Sequence, residues 1–322
     1  MIVDENSTQN ERGEIVDISI GICTHNDGAT IGPLLTSLTR ERKSERFRIK
    51  EIIVVSSGSR DKTDQVVNEI GTNQETEIIL IREETRNGKA SAVNIILNRF
   101  VGSILVLIPA DVFTTKDSVF RLADRLLSNP KMGIASGRPV VGGKGNKCSF
   151  ICRMTSLLWD IHNRTLEHVE LSQNSHATGE LMALRRGIVV QIPKNIINDD
   201  AFIGLGVKRR GWLVGYEKRA FAQIRVPSRL SDYIIQRNRI LKGHKQLLRL
   251  YAAQTTTIRG LISNRSLEPF AIISKELYSL RRLVYFLVSS LIELGIEMQI
   301  RFRDPQLTRV SNIWQRIGVE AS

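Results

Sequence analysis

The sequence predicts an α/β fold built on a mostly parallel sheet with helices on both faces. Two observations point to it. Four apolar, β-branched runs of strand length alternate with segments of helical period, and the runs are too continuously apolar to leave either face in water. The first run, Ile18 to Cys23, leads into a helical segment from Ile31 to Thr39. The second, Ile52 to Val55, is followed by Thr63 to Ile70, and the third, Glu77 to Ile81, by Ala90 to Phe100. The fourth run is Ile104 to Ile108, with Ser118 to Leu127 after it. Each helical segment repeats apolar side chains every three or four residues, which gives it one face to bury.

Length and composition set the bounds. With 322 residues and 42% hydrophobic content the chain buries a sizeable core as one elaborated domain or two small ones. Cys23, Cys148 and Cys152 make no disulfide framework, and a lone C-x-x-x-C is a poor zinc site, so all three read as packing thiols in a reducing compartment. The opening MIVDENSTQNERGE is polar and has no apolar h-region of a secretory signal, which leads to the expectation of a cytoplasmic protein. Residues 1–203 carry 25 Lys and Arg against 25 Asp and Glu, and residues 204–322 carry 21 against 8, so the whole +13 lies in the last third. A basic end on a neutral body suits an anionic surface; a solvated basic face is the plainer alternative.

In parallel sheets ligands bind beyond the carboxyl ends of the strands. There the chain places THND (Thr24 to Asp27), SSGSRDKT (Ser56 to Thr63), RNGKASAVN (Arg86 to Asn94) and PAD (Pro109 to Asp111). Ser, Gly, Asn and Asp are ordinary turn formers, so any one of these loops reads as a turn. Four at one sheet edge read as a site. Gly58 and Gly88 allow the backbone close to a ligand, and Lys89 at a helix start suits a phosphate. Neither G-x-x-x-x-G-K-[ST] nor G-x-G-x-x-G is present, which argues against a P-loop or dinucleotide enzyme.

ISIGICTHND followed by EIIVVSSGSRDKT resembles the opening of the inverting nucleotide-sugar glycosyltransferases of family two, which includes cellulose, chitin and hyaluronan synthases and dolichyl-phosphate sugar synthases. The likeness continues in order through NGKASAVN, PAD, HATGELMALRR (His176 to Arg186), NDDAFIGLGVKRRGW (Asn198 to Trp212) and QRNRILKG (Gln236 to Gly243). Each motif alone is weak, but the ordered set is specific.

The resemblance implies the GT-A fold with a C-terminal helical extension. It implies a UDP- or GDP-sugar donor, a divalent metal (Mg²⁺ or Mn²⁺) and inversion at the anomeric carbon. Asp111 becomes the metal ligand, and Thr24, Asn26, Asp27, Ser57, Lys89, Asp111, Arg237 and Arg239 the donor-binding set. Asp200 is the first candidate for catalytic base and Asp199 the second; capping of a helix start is the structural alternative for the pair. Gly179 and Gln236 fall on the acceptor side. The acceptor class is a glycan or a lipid-linked sugar, and nucleic acid is not expected.

Three departures qualify the likeness. Ser56 and Ser57 stand where the family has two acids, so the nucleobase contact loses charge assistance. Pro109 replaces the first acid of D-x-D. Ile240 replaces a tryptophan near the acceptor, and loss of that sugar platform argues for single addition over processive synthesis. The expected organisation is a tail over 1–14, a catalytic domain over 15–243 and a basic helical extension over 244–322. In the extension, LVYFLVSSLIELGI (283–296) is 14 residues long, short of the roughly 20 a spanning helix needs. It reads as an interfacial helix on anionic lipid at the inner face of the cell membrane, or equally as a buried or partner-packed helix. A sugar nucleotidyltransferase and a non-catalytic binding homologue remain as other functional classes.

Overall fold

Seven strands form one mixed sheet in the order β3–β2–β1–β4–β6–β5–β7. The computed structural model describes residues 15–40, 44–72, 76–142, 149–169, 171, 173–189, 191–251 and 268–303; the expected tail over 1–14 lies outside them. Four strand–helix units come first: β1 (Val16–Thr24) with α1 (Ile31–Thr39), β2 (Phe47–Ser57) with α2 (Thr63–Gly71), β3 (Glu77–Glu83) with α3 (Lys89–Arg99), and β4 (Ile104–Pro109) with α4 (Lys116–Leu127). All four match the expected pairs in place and kind. β1 pairs in parallel with both β2 and β4, and β2 with β3.

Three further strands escape the periodicity: β5 (Met132–Val141), β6 (Met182–Arg185) and β7 (Leu213–Ile224). Between and after them lie α5 (Phe150–His168), α6 (Asp199–Arg209), α7 (Leu230–Tyr251), α8 (Glu268–Glu276) and α9 (Leu280–Arg303). β5 and β7 are parallel, whereas β6 runs antiparallel to both β4 and β5. That reversal matters for the site, because whatever precedes β6 lands at the carboxyl edge of β4.

Alternate side chains of each strand feed two cores, one on each sheet face. Ile18, Ile20, Ile22, Ile52 and Val54 pack with α1 and α4; Ile53, Val55, Leu105 and Leu107 pack with α3 and α6. Helices therefore sandwich the sheet, as expected. α3 approaches β1 so closely that a Cβ on Gly21 would lie 2.5 Å from Ile96 Cγ2. α7 is seated by Asn198, whose side chain fills the space a Cβ on Gly243 would need and donates to the Ile240 carbonyl at 3.1 Å. α7 itself runs unbroken through residues 243 and 244.

Two expectations change. Cys152 is disulfide-bonded, with its partner outside the described residues, and is not a packing thiol. It is buried, as the thiol reading required, but burial suits a bridged sulfur equally, so the cysteines give no ground for a reducing compartment. α9 is also longer than the 14-residue apolar run: it spans 24 residues, because Leu280–Arg282 before the run and residues 297–303 after it continue the helix. Within it, Leu280–Ile300 is long and apolar enough to cross a membrane by length and composition. One side of α9 packs on the protein, Tyr285 and Phe286 against Leu157 and Ile161 of α5, and Ile296 and Ile300 against Leu241 of α7.

Candidate active site

Three loops at the carboxyl edge are tied to one another. Asn26 takes a left-handed conformation (φ 55°), which turns the chain after β1. Its N–H donates to Ser59 Oγ at 3.1 Å, and its Oδ1 accepts from the Arg60 N–H at 2.8 Å. The Asp27 carboxylate accepts from Thr24 Oγ1 and from the His25 N–H, both at 2.9 Å. His25 Nδ1 lies 2.7 Å from the Ser57 carbonyl and so carries its proton there. Ser57 Oγ accepts from the Asn87 N–H at 3.1 Å. Gly58 (φ 64°) allows the close approach of the next loop, since a Cβ there would sit 2.8 Å from Arg86 N. Thr24, Asn26, Asp27 and Ser57 thus share one edge, and their polar atoms hold the loops to each other.

Beyond them lies a charged cluster. Asp199 and Asp200 open α6, where the free N–H groups favour carboxylates. Asp199 is buried and its Oδ2 lies 3.1 Å from Lys89 Nζ at the start of α3. Burial works against the Lys89 charge, yet Asp199 and Asp200 hold its ammonium above the ordinary lysine range. Asp200 is only half-buried, and its Oδ1 accepts from the Ala201 N–H at 2.7 Å. Gly179 makes room for it, since a Cβ there would stand 2.7 Å from Asp200 Oδ2. The neighbouring Glu180 has its carboxyl pushed up to about 7 by burial and by the negative charges of Asp200 and Asp111, against the pull of Lys89. Arg239 faces the same group: burial lowers its pKa, opposed by Asp199, Asp200 and Glu180. Cys23 borders Lys89 and Asp199, and burial pushes its thiol up to about 12, so it stays neutral.

Arg237 is not part of this cluster. Two residues apart on a helix, Arg237 and Arg239 point in nearly opposite directions. Arg237 Nη2 pairs instead with Glu293 Oε1 of α9 at 2.6 Å, so of the two arginines expected in the donor-binding set only Arg239 faces the acidic cluster. Gln236 lies on α7 one turn before Arg239, half-buried.

The donor set fits a hard divalent ion. Among the described residues no three His, Cys, Asp or Glu side chains converge as a protein cage. Mg²⁺ and Mn²⁺ do not need one: one or two carboxylates with diphosphate oxygens and water complete their shell. The carboxylates of Glu180, Asp199 and Asp200 face Lys89 and Arg239, and Asp111 adds its charge beside Glu180. The surplus of negative charge is what a divalent ion beside Asp111 would offset.

Residues 19–192, just over half of the chain, match the family described as glycosyl transferase family 2. The chain belongs to this family. It is 23% identical over 252 residues to poly-β-1,6-N-acetyl-D-glucosamine synthase of Staphylococcus aureus, covering 76% of this chain and 59% of that protein. Against the enzyme of the same name from Staphylococcus epidermidis the identity is 23% over 250 residues, with 75% and 58% covered. The chain therefore spans about three fifths of the length of these curated relatives. A mannosyltransferase from Pyrobaculum calidifontis, solved with GDP-mannose and Mn²⁺, superposes with a TM-score of 0.62 at 16% identity, over 90% of this chain and 88% of that one. The sheet and its helices are those of the GT-A fold.

This family 2 chain gathers Lys89, Asp111, Gly179, Asp199, Asp200 and Arg239 around one centre, with the loops of Thr24, Asn26, Asp27 and Ser57 along the same sheet edge. Sequence reasoning missed Glu180, and also Arg86, which feels the Asp27 charge. A carboxylate set directly before the apolar run LMAL was a signal for Glu180. The carboxyl-end rule for parallel strands does not reach it, because β6 is antiparallel and the site meets its amino end.

Proposed function

We propose that the chain transfers a sugar from a nucleoside-diphosphate sugar to a hydroxyl acceptor with inversion, in the synthesis of a glycan or a lipid-linked glycan. The observation that carries this reading is the convergence of Asp111, Asp200, Lys89 and Arg239 at one sheet edge of a family 2 chain. Lys89 and Arg239 bind the diphosphate and take up the charge it gains as it leaves. Asp111 would hold Mg²⁺ or Mn²⁺, which would supply Lewis-acid stabilisation of the same leaving group. Asp200 accepts the acceptor's hydroxyl proton while that oxygen bonds to the anomeric carbon and the carbon–diphosphate bond breaks on the opposite face. Asp199, paired with Lys89, keeps the lysine in place and is the weaker candidate for the base.

Ile240 in place of a stacking aromatic supports single addition. A second reading, chain-building transfer of N-acetylglucosamine, is favoured by the relatives named poly-β-1,6-N-acetyl-D-glucosamine synthase. Incubation with Mn²⁺, UDP- and GDP-sugars and glycan acceptors, with nucleoside diphosphate and product length measured, tests both. Diphosphate release with one added residue is expected; long products favour the second reading. Pyrophosphate release points to a nucleotidyltransferase, and no turnover to a binding homologue.

The outer side of α9 supports work at a membrane. Leu280, Leu287, Leu291, Leu294, Met298 and Phe302 are all exposed there, while Glu293 turns inward to Arg237. An apolar stripe of this length, on the basic third of the chain, suits a helix lying in an anionic interface at the inner face of the cell membrane. The full chain is expected to float with phosphatidylglycerol vesicles, and Leu287→Glu/Leu291→Glu to stay at the bottom of the gradient. Equal recovery of both proteins would remove the membrane role.

A further inference from the structure

We propose that Glu180 reads the donor sugar, its carboxylate accepting hydrogen bonds from hydroxyls of the hexose being transferred. The assignment rests on the transfer reading above and deepens it. The antiparallel pairing of β4 with β6 is recorded as far as Leu107 opposite Met182. Just before Met182 the chain turns, the Leu181 N–H donating to the Thr178 carbonyl at 3.4 Å, and this turn holds Glu180 beyond the carboxyl end of β4, on the side that leads into Asp111. The residue before it, Gly179, touches the Asp200 carboxylate, and Glu180 feels the charges of both Asp200 and Asp111. Glu180 therefore stands between the base and the leaving-group side. In an in-line displacement one body must occupy that interval, the sugar ring whose anomeric carbon is attacked from one side and vacated on the other.

The chemistry of the interval suits a pyranose. A carboxylate offers two oxygens and several lone pairs to adjacent hydroxyl donors, and such charge-assisted bonds are stronger than neutral ones. Lys89 is held by Asp199 at 3.1 Å, and although the Glu180 carboxylate accepts from its own backbone N–H and feels Lys89, a carboxylate has further lone pairs for hydroxyl donors. A site built to pair a hydroxyl rejects the sugar that lacks it, because the buried acceptor is then left unpaired.

Glu180→Gln keeps the shape and removes the charge. Affinities of the full chain for UDP, UDP-N-acetylglucosamine, GDP and GDP-mannose in Mn²⁺ can be measured by calorimetry, with wild type beside the variant. Nucleoside-diphosphate affinity is expected to stay unchanged, which also shows that the variant folds. The extra affinity conferred by the attached sugar is expected to fall about tenfold or more, with partial recovery in Glu180→Asp. Parallel loss of diphosphate and sugar-nucleotide affinity would make Glu180 a metal ligand and overturn the assignment. No change in either affinity would overturn it as well. If wild type binds none of the four, the glycosyl-transfer reading itself fails, a result separate from any behaviour of the variant.

Discussion

Asp200→Asn is expected to lower kcat by about 10²-fold or more while donor affinity stays that of the wild type. That loss corresponds to at least about 2.7 kcal/mol of transition-state stabilisation. The argument is geometric. Asp200 is the half-buried member of the pair that opens α6, and Gly179 leaves its Oδ2 clear of any neighbouring Cβ. Asp199 is buried and its Oδ2 is occupied by Lys89. An amide at position 200 keeps the volume and loses the proton acceptor, so binding survives and the chemical step slows. Single-turnover rates at saturating donor and acceptor separate the two effects. Wild-type turnover in the variant would pass the role of base to Asp199 or to a group of the substrate.

Asp111→Ala is expected to abolish the part of nucleotide affinity that depends on Mn²⁺. With Pro109 in place of a first acid, Asp111 is the one carboxylate of its loop, so nothing on that loop replaces it. The fall in affinity should be at least as large as the roughly 10- to 100-fold that loss of a mere supporting partner of a metal site brings. Titration of UDP and GDP with and without Mn²⁺ measures it directly. An unchanged Mn²⁺ dependence would move the ion away from Asp111. The two substitutions also differ in kind, since Asp111→Ala acts on binding and Asp200→Asn on turnover.

The first four strand–helix units were legible because each strand is covered on both faces, β3 at the sheet edge only partly, and each helix on one. Apolar runs of strand length and a period near 3.6 are the direct trace of that burial. β5 and β7 were not legible. Gly133, Gly137 and Pro139 interrupt β5, where a Cβ on Gly137 would lie 2.6 Å from the Ala220 carbonyl. β7 carries Glu217, Lys218 and Arg219 at its middle. Strands that trade side-chain volume for close backbone approach, or that reach the sheet edge, leave no clean period.

The site divides in the same way. Lys89 and Asp111 each follow a parallel strand, and chain order alone was enough to bring them to one edge. Asp199 and Asp200 came from an ordered resemblance. Glu180 needed the direction of β6, which four residues of sequence do not state, since a strand's apolar pattern is the same whichever way it runs. Arg237 and Arg239 both enter the expected donor-binding set through the resemblance carried by QRNRILKG. The helix then turned them about 200° apart, by the 100° each residue contributes, and gave one to the acidic cluster and the other to Glu293. By itself the sequence determined the βα repeat, the family and the loops that carry the chemistry, all of which depend on local pattern and order. Strand direction and helix facing were decided only by tertiary packing, because both depend on which surfaces meet and not on the composition of either one.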